Sequence, residues 1–155
     1  MVEVAQENNQ PAFTMEKIYV KDISLEIPHA PQIFLDRDNP QIDVQLHTRA
    51  DSFEKGLFEV VVTATVTAKI LEKVMFLIEV RQAGVFQMHN MPDKEMGQIL
   101  AVMCPNILFP YLREVVSDVS VRAGFAPVLL NPINFEALYQ QQKLQAQAAA
   151  PTTTH

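Results

Sequence analysis

The sequence predicts an α+β fold: a four-stranded antiparallel meander sheet with two long helices, plus a short or kinked helical segment, on one side. Three observations lead there. Four stretches between Phe13 and Arg81 alternate apolar and polar residues with no helical pattern between them, so the strands follow one another as antiparallel neighbours. In each stretch one side is apolar and the other largely polar, as in a sheet with one face on the core. After Gly84 the period lengthens to that of helices.

The elements follow in order. Phe13 to Ile27 alternates, but its phase slips near Lys17–Ile18 and near Asp22–Ile23, as β-bulges cause. In "QIDVQLHTR" Ile42, Val44 and Leu46 oppose Gln41, Asp43, Gln45 and His47. "LFEVVVTATVTAKI" sets Phe58, Val60, Val62, Ala64, Val66, Ala68 and Ile70 against Glu59, Thr63, Thr65, Thr67 and Lys69, with Val61 out of phase. β-Branched enrichment makes this the strongest strand. "KVMFLIEVRQ" sets Val74, Phe76, Ile78 and Val80 against Met75, Leu77, Glu79 and Arg81. "PDKEMGQILAVM" opens with Pro92 and acids in its first turn, as a helix start does. In "CPNILFPYLRE" Pro105 suits a first helical turn, whereas Pro110 deletes the bond to the Asn106 carbonyl. Either the segment kinks between Asn106 and Pro110, or the long helix starts near Pro110. Its stripe is Tyr111, Leu112, Val115, Val116 and Val119, and Gly124 is the stop. Asn134 caps a last helix in "NFEALYQQQ".

These boundaries give a disordered N-terminal tail at 1–12, one domain at 13–140 and a flexible, low-complexity C-terminal tail at 141–155. A formal net charge of −6 argues against nucleic acid and anionic lipid as partners and favours a basic one. No uninterrupted apolar run approaches the ~20 residues of a membrane helix, and "MVEVAQENNQ" lacks the pattern of a signal peptide. The lone cysteine, Cys104, suits a reducing compartment, hence the cytoplasm.

Nothing points to catalysis. The glycines Gly56, Gly84, Gly97 and Gly124 are too dispersed for a phosphate loop. His29, His47, His89 and His155 show no metal spacing. Cys104 reads as a buried structural thiol rather than a nucleophile, and Asp36 and Asp38 as turn residues. No enzyme, no cofactor and no bound metal are expected. Binding is the remaining class, and two long connections supply its surface. Pro28 to Pro40 holds Ile33, Phe34 and Leu35, while Gly124 to Ile133 holds Phe125, Val128, Leu129 and Leu130. Either they cap the core, or they wall a groove for something apolar and extended. The apolar helix stripe also suggests self-association, with Ile78, Val80, Gln82, Leu112, Val115 and Val119 as interface candidates, unless they form the monomer core. On the polar side of the sheet Glu79 alternates with Leu77, and Asp22 and Glu26 lie four apart in a strand. They read as a solvated acidic face, or as a docking site with acids for steering and leucine as anchor.

At "CPNILFPYLRE" and "GFAPVLLNPINFEALY" the chain resembles the SecB family of protein-export chaperones, and "VKDISLEIPHAPQIF" and "FLIEVRQAGVF" are similar to it too. The likeness runs from about Phe13 to Tyr139. It departs at Ala83-Gly84, where the family has Gly-Gly, and at Asn39, where some members carry Trp. The resemblance implies an ATP-independent chaperone that holds unfolded precursor polypeptides in the cytoplasm and delivers them to the SecA motor. It implies a homotetramer, a dimer of dimers, with helices at the subunit contacts. It gives Ile33, Phe34, Leu35, Phe125, Val128, Leu129 and Tyr139 the role of client groove. It assigns Asp22, Glu26, Leu77 and Glu79 to the basic, zinc-carrying tail of SecA; the zinc belongs to that partner, and no direct membrane insertion is implied. The rival reading is a structural or adaptor oligomer whose apolar loops bury only in its own assembly.

Overall fold

The computed structural model of the protein describes residues 9–149; of the two expected tails, 1–8 and 150–155 lie outside them. Strands β1 (Ala12–Glu26), β2 (Gln41–Glu54), β3 (Leu57–Ile70) and β4 (Lys73–His89) form one antiparallel sheet in the order β1-β4-β3-β2. The α+β class is the predicted one, with one connection different. β2, β3 and β4 make a meander, but β1 pairs with β4 instead of β2. The physical reason is the long link from Ile27 to Pro40. It is far too long for a hairpin and carries the chain across three inter-strand spacings of ~4.8 Å to the opposite edge. β1 shifts register between Met15 and Lys17 and again between Val20 and Asp22, close to both expected slips.

Even-numbered residues of β3 and β4 face the helices. Val60, Val62, Ala64, Val66, Ala68, Phe76, Ile78 and Val80 are all buried in one cluster with Cys104, Leu108, Leu112, Val116 and Val119. The interface candidates Ile78, Val80, Gln82, Leu112 and Val119 therefore belong to the protomer's own core, with Val115 half-buried beside them. A strand face and a helix stripe of matching polarity satisfy each other within one chain first, because no association entropy opposes that pairing.

The helical body runs unbroken from Asp93 to Arg122. It comprises α1 (Asp93–Gln98), a π-helical stretch at Ile99–Met103 and α2 (Cys104–Arg122). The long helix does not wait for Pro110 to start, and both prolines sit inside it. The wider π turn ends just before Pro105 and makes room for its ring. Pro110 is exposed, as is Asn106, so the carbonyl that loses its partner can turn to water. By length and composition this helix would also span a membrane, but it packs across β3 and β4 with Leu108, Leu112 and Val116 fully buried. It ends at Gly124, whose φ of +93° closes a Schellman turn through Gly124 N–H to the Val121 carbonyl and Phe125 N–H to the Ser120 carbonyl. Helix α3 (Phe135–Ala148) starts as expected, with Asn134 Oδ1 accepting from Ala137 N–H at 3.0 Å. It continues beyond the expected domain end at 140, because Gln, Lys, Leu and Ala all favour helix.

Candidate functional site

The segment between α2 and α3 is tied back along α2. Ser120 is fully buried and fully used: its hydroxyl donates to the Ser117 carbonyl at 2.8 Å and accepts from Val128 N–H at 2.9 Å. Arg113 Nε donates to the Leu130 carbonyl at 2.8 Å, and its guanidinium covers the Phe109 ring at 4.8 Å. Held at both points, the extended chain turns Val128 and Leu130 inward and leaves Leu129 70% exposed.

Facing this segment is the helix-side row of β2. A groove of about 550 Å³ runs between them, lined by Ile42, Val44 and Leu46 from the strand, Val128 to Asn131 and Ile133 from the segment, and Leu138 from α3. Ile42 and Val44 stay 48% and 39% exposed because β2 is an edge strand that α2 does not cover. At the neighbouring end of the sheet, Ile42 opposes Ala68 and Ala68 opposes Phe76. There Phe125 packs on Phe76 at 5.1 Å between ring centroids and on Phe34 at 5.2 Å, so an aromatic stack closes that end.

Of the expected groove residues, Val128 and Leu129 line it, while Phe34 and Phe125 stack on each other and on Phe76 at the neighbouring end. Ile33 does not line it: a short 3-10 turn at Gln32–Leu35 buries it to 2% exposure, so it anchors the crossover instead. Leu35 points to solvent at 80% exposure. Tyr139 lies away from the groove, its hydroxyl against Gly97 and its ring under Lys143 Nζ at 4.4 Å, so it fastens α3 to α1. Reading the two loops alone missed the strand wall of Ile42, Val44 and Leu46. Its alternation was visible in "QIDVQL", but edge position is a property of the whole sheet.

The opposite face of the sheet is polar. There Asp22 opposes Arg81, Ser24 opposes Glu79 and Glu26 opposes Leu77. Asp22, Glu26, Leu77 and Glu79 thus share one patch on β1 and β4. Asp43 lies in the same row, reached from Leu77 through Thr67; the two-residue alternation of β2 was the signal that could have found it. Next to the patch stands an ion-pair hub. Glu59 accepts from the Tyr19 hydroxyl and from Lys21 Nζ at 2.6 Å, with Arg49 Nη2 at 3.8 Å. The Lys21 and Tyr19 bonds hold the Glu59 carboxyl below its usual range, and burial plus Glu59 pushes the Tyr19 phenol up to about 12.

Burial pushes the Cys104 thiol up to about 12, which keeps it protonated and poorly nucleophilic. Among the described residues no three of His, Cys, Asp and Glu converge as metal ligands do. What the arrangement can do is bind: an apolar trough on one side, a charged platform on the other.

Comparison with known proteins gives the family and the fold. The family described as Preprotein translocase subunit SecB matches residues 6–146. A Protein-export protein SecB of Methylobacillus flagellatus is 58% identical over 153 residues, 99% of this chain and 98% of that protein. One from Chromobacterium violaceum is 61% identical over 140 residues, covering 90% and 93%. In structure, a SecB-like chaperone of Mycobacterium tuberculosis, solved with an antitoxin peptide, superposes with a TM-score of 0.65 at 17% identity, covering 78% of this chain and 90% of that one.

Proposed function

This chain belongs to the SecB family of protein-export chaperones, and from that premise we propose how it divides its two tasks between the two sides of its sheet. Unfolded precursor segments bind in the trough between β2 and the segment joining α2 to α3. The observation that carries this is the trough itself: about 550 Å³, open, and lined by aliphatic side chains from three elements. Extended apolar segments gain ~25 cal/mol per Å² by burial there, with little dependence on sequence. The free edge of β2 leaves backbone groups beside the trough, so main-chain bonds can add to side-chain burial.

The outward patch of Asp22, Glu26, Leu77 and Glu79 docks the basic, zinc-carrying tail of the SecA motor. Acids steer a cationic segment and Leu77 gives it an apolar anchor. The protein acts in the cytoplasm as a homotetramer, without nucleotide. Apolar side chains exposed on β1, Met15, Val20, Ile23 and Leu25, lie on the helix side where the protomer's own helices do not reach, and they supply surface for that assembly.

The test uses an unrelated unfolded protein diluted from denaturant, with light scattering as the readout. Wild type suppresses aggregation stoichiometrically without ATP. The double variant Ile42→Asp with Leu129→Asp places charge at two exposed trough positions, where desolvation opposes client binding. It keeps its circular dichroism spectrum and loses suppression. Full suppression by the folded double variant would show that clients bind elsewhere; no suppression by wild type would favour an adaptor oligomer.

A further inference from the structure

Resting on the docking reading above, we propose that Arg81 is an internal competitor for the docking carboxylates, occupied with Glu79 in the free chaperone and displaced when a cationic partner arrives. Its Nη2 donates to Glu79 Oε1 at 3.3 Å. In the β1–β4 register Arg81 stands opposite Asp22, while its guanidinium pairs with Glu79, so its backbone position and its ion pair each fall on a docking residue. The neighbouring cations are committed differently: Lys21 is held by Glu59, and Arg49 by Asp51 at 2.9 Å and Glu59. Arg81 is therefore the cation placed within the acidic patch itself.

The geometry makes it displaceable. The bond is long, both side chains are well exposed at 47% and 36%, and such pairs exchange readily with water and other ions. A partner lysine or arginine at Glu79 thus replaces an existing pair instead of meeting a free carboxylate, and its net electrostatic gain shrinks. Leu77 meets no such competition, since it carries no charge for a cation to occupy; it stands between Glu26 on β1 and Thr67 on β3. The patch consequently selects segments that combine a cation with an apolar side chain over segments that are merely polybasic.

The experiment measures fluorescence anisotropy of a labelled peptide of three lysines, one leucine and three lysines, titrated with the full chain at low and high salt. Arg81→Gln tightens binding about two- to five-fold at low salt, the range set by an exposed ion pair, and the gain fades as salt screens it. Arg81→Lys, which keeps the charge, stays close to wild type. Glu79→Lys weakens binding. If Arg81→Gln leaves affinity unchanged or lowers it while Glu79→Lys still weakens it, Arg81 is no competitor and the docking site stands. If Glu79→Lys changes nothing, the docking site itself is wrong.

Discussion

At the scale of single residues, Glu59 is the connector of the outward face. Tyr19 and Lys21 reach it from β1, across the intervening β4, and Arg49 approaches from β2. Glu59→Gln keeps the shape but removes the charge that three donors answer. We expect a loss of about 1–2 kcal/mol, as for a hydrogen-bonded charge, read from the urea midpoint at pH 7. An unchanged midpoint would show the hub to be decorative. The pH dependence has a fixed sign. The Glu59 carboxyl is depressed, so its contribution is present above the ordinary carboxylate range and is lost as pH falls through its lower folded value. The Tyr19 phenol is raised to about 12, so its contribution is intact below 10 and disappears as pH rises through 12. This hub was not legible in the sequence. Alternation puts Glu59 on the polar side, but its partners lie 38 and 40 residues away in the chain, and only the order β1-β4-β3-β2 brings them near. Val61, out of phase by pattern, is likewise nearly buried on that polar side, in the row with Ala83 and Arg49. Period two records which side a residue takes, and neighbours decide whether it is covered.

Between elements, helix and sheet approach closely at Gly84. A Cβ there would stand 2.8 Å from the Phe86 ring and 3.0 Å from Leu108 Cδ2. Leu108 and Phe86 are both fully buried, so neither can swing away into solvent. Gly84→Ala therefore forces α2 off β4 and costs about 1–3 kcal/mol, the usual range for overpacking. Thermal melting checks it, and an unchanged Tm would mean that the helix rides more loosely than its packing implies. The same contact explains why the sequence misled at "CPNILFPYLRE". Local rules assign a break to two prolines five apart, and for an isolated helix that is sound. Here the helix is held by Cys104, Leu108, Leu112 and Val116 against the strands. A π turn takes up the first proline, and Pro110 falls on the exposed side. Tertiary burial outweighs a propensity cost of ~3 kcal/mol. The cap at Asn134 and the stop at Gly124 were legible because each is decided by a handful of adjacent atoms.

For the molecule as a whole, the division between what a chain satisfies internally and what it leaves open was the hardest part to read. The stripe of Ile78, Val80, Leu112 and Val119 carried the right polarity for an interface, yet the protomer uses it as core. Part of the apolar surface left open lies at the two sheet edges. β2 exposes Ile42 and Val44 into the trough, and β1 exposes Met15, Val20, Ile23 and Leu25 on the same side of the sheet. Trough and proposed assembly surface are thus separated by the width of β3 and β4, so self-association through β1 would leave the trough free for clients. We expect light scattering at micromolar concentration to give a mass about four times the 17.5 kDa of one chain. Replacing Ile23 and Leu25 with Asp should yield smaller species, because four charges in a pair of facing edges cannot be buried without partners. The trough lies at the far edge, so those smaller species should still bind a labelled unfolded client. A wild-type protein that runs as a monomer would end the assembly proposal. A variant that stays tetrameric would move the contact off β1 and onto the half-exposed helix residues Met103, Tyr111 and Val121.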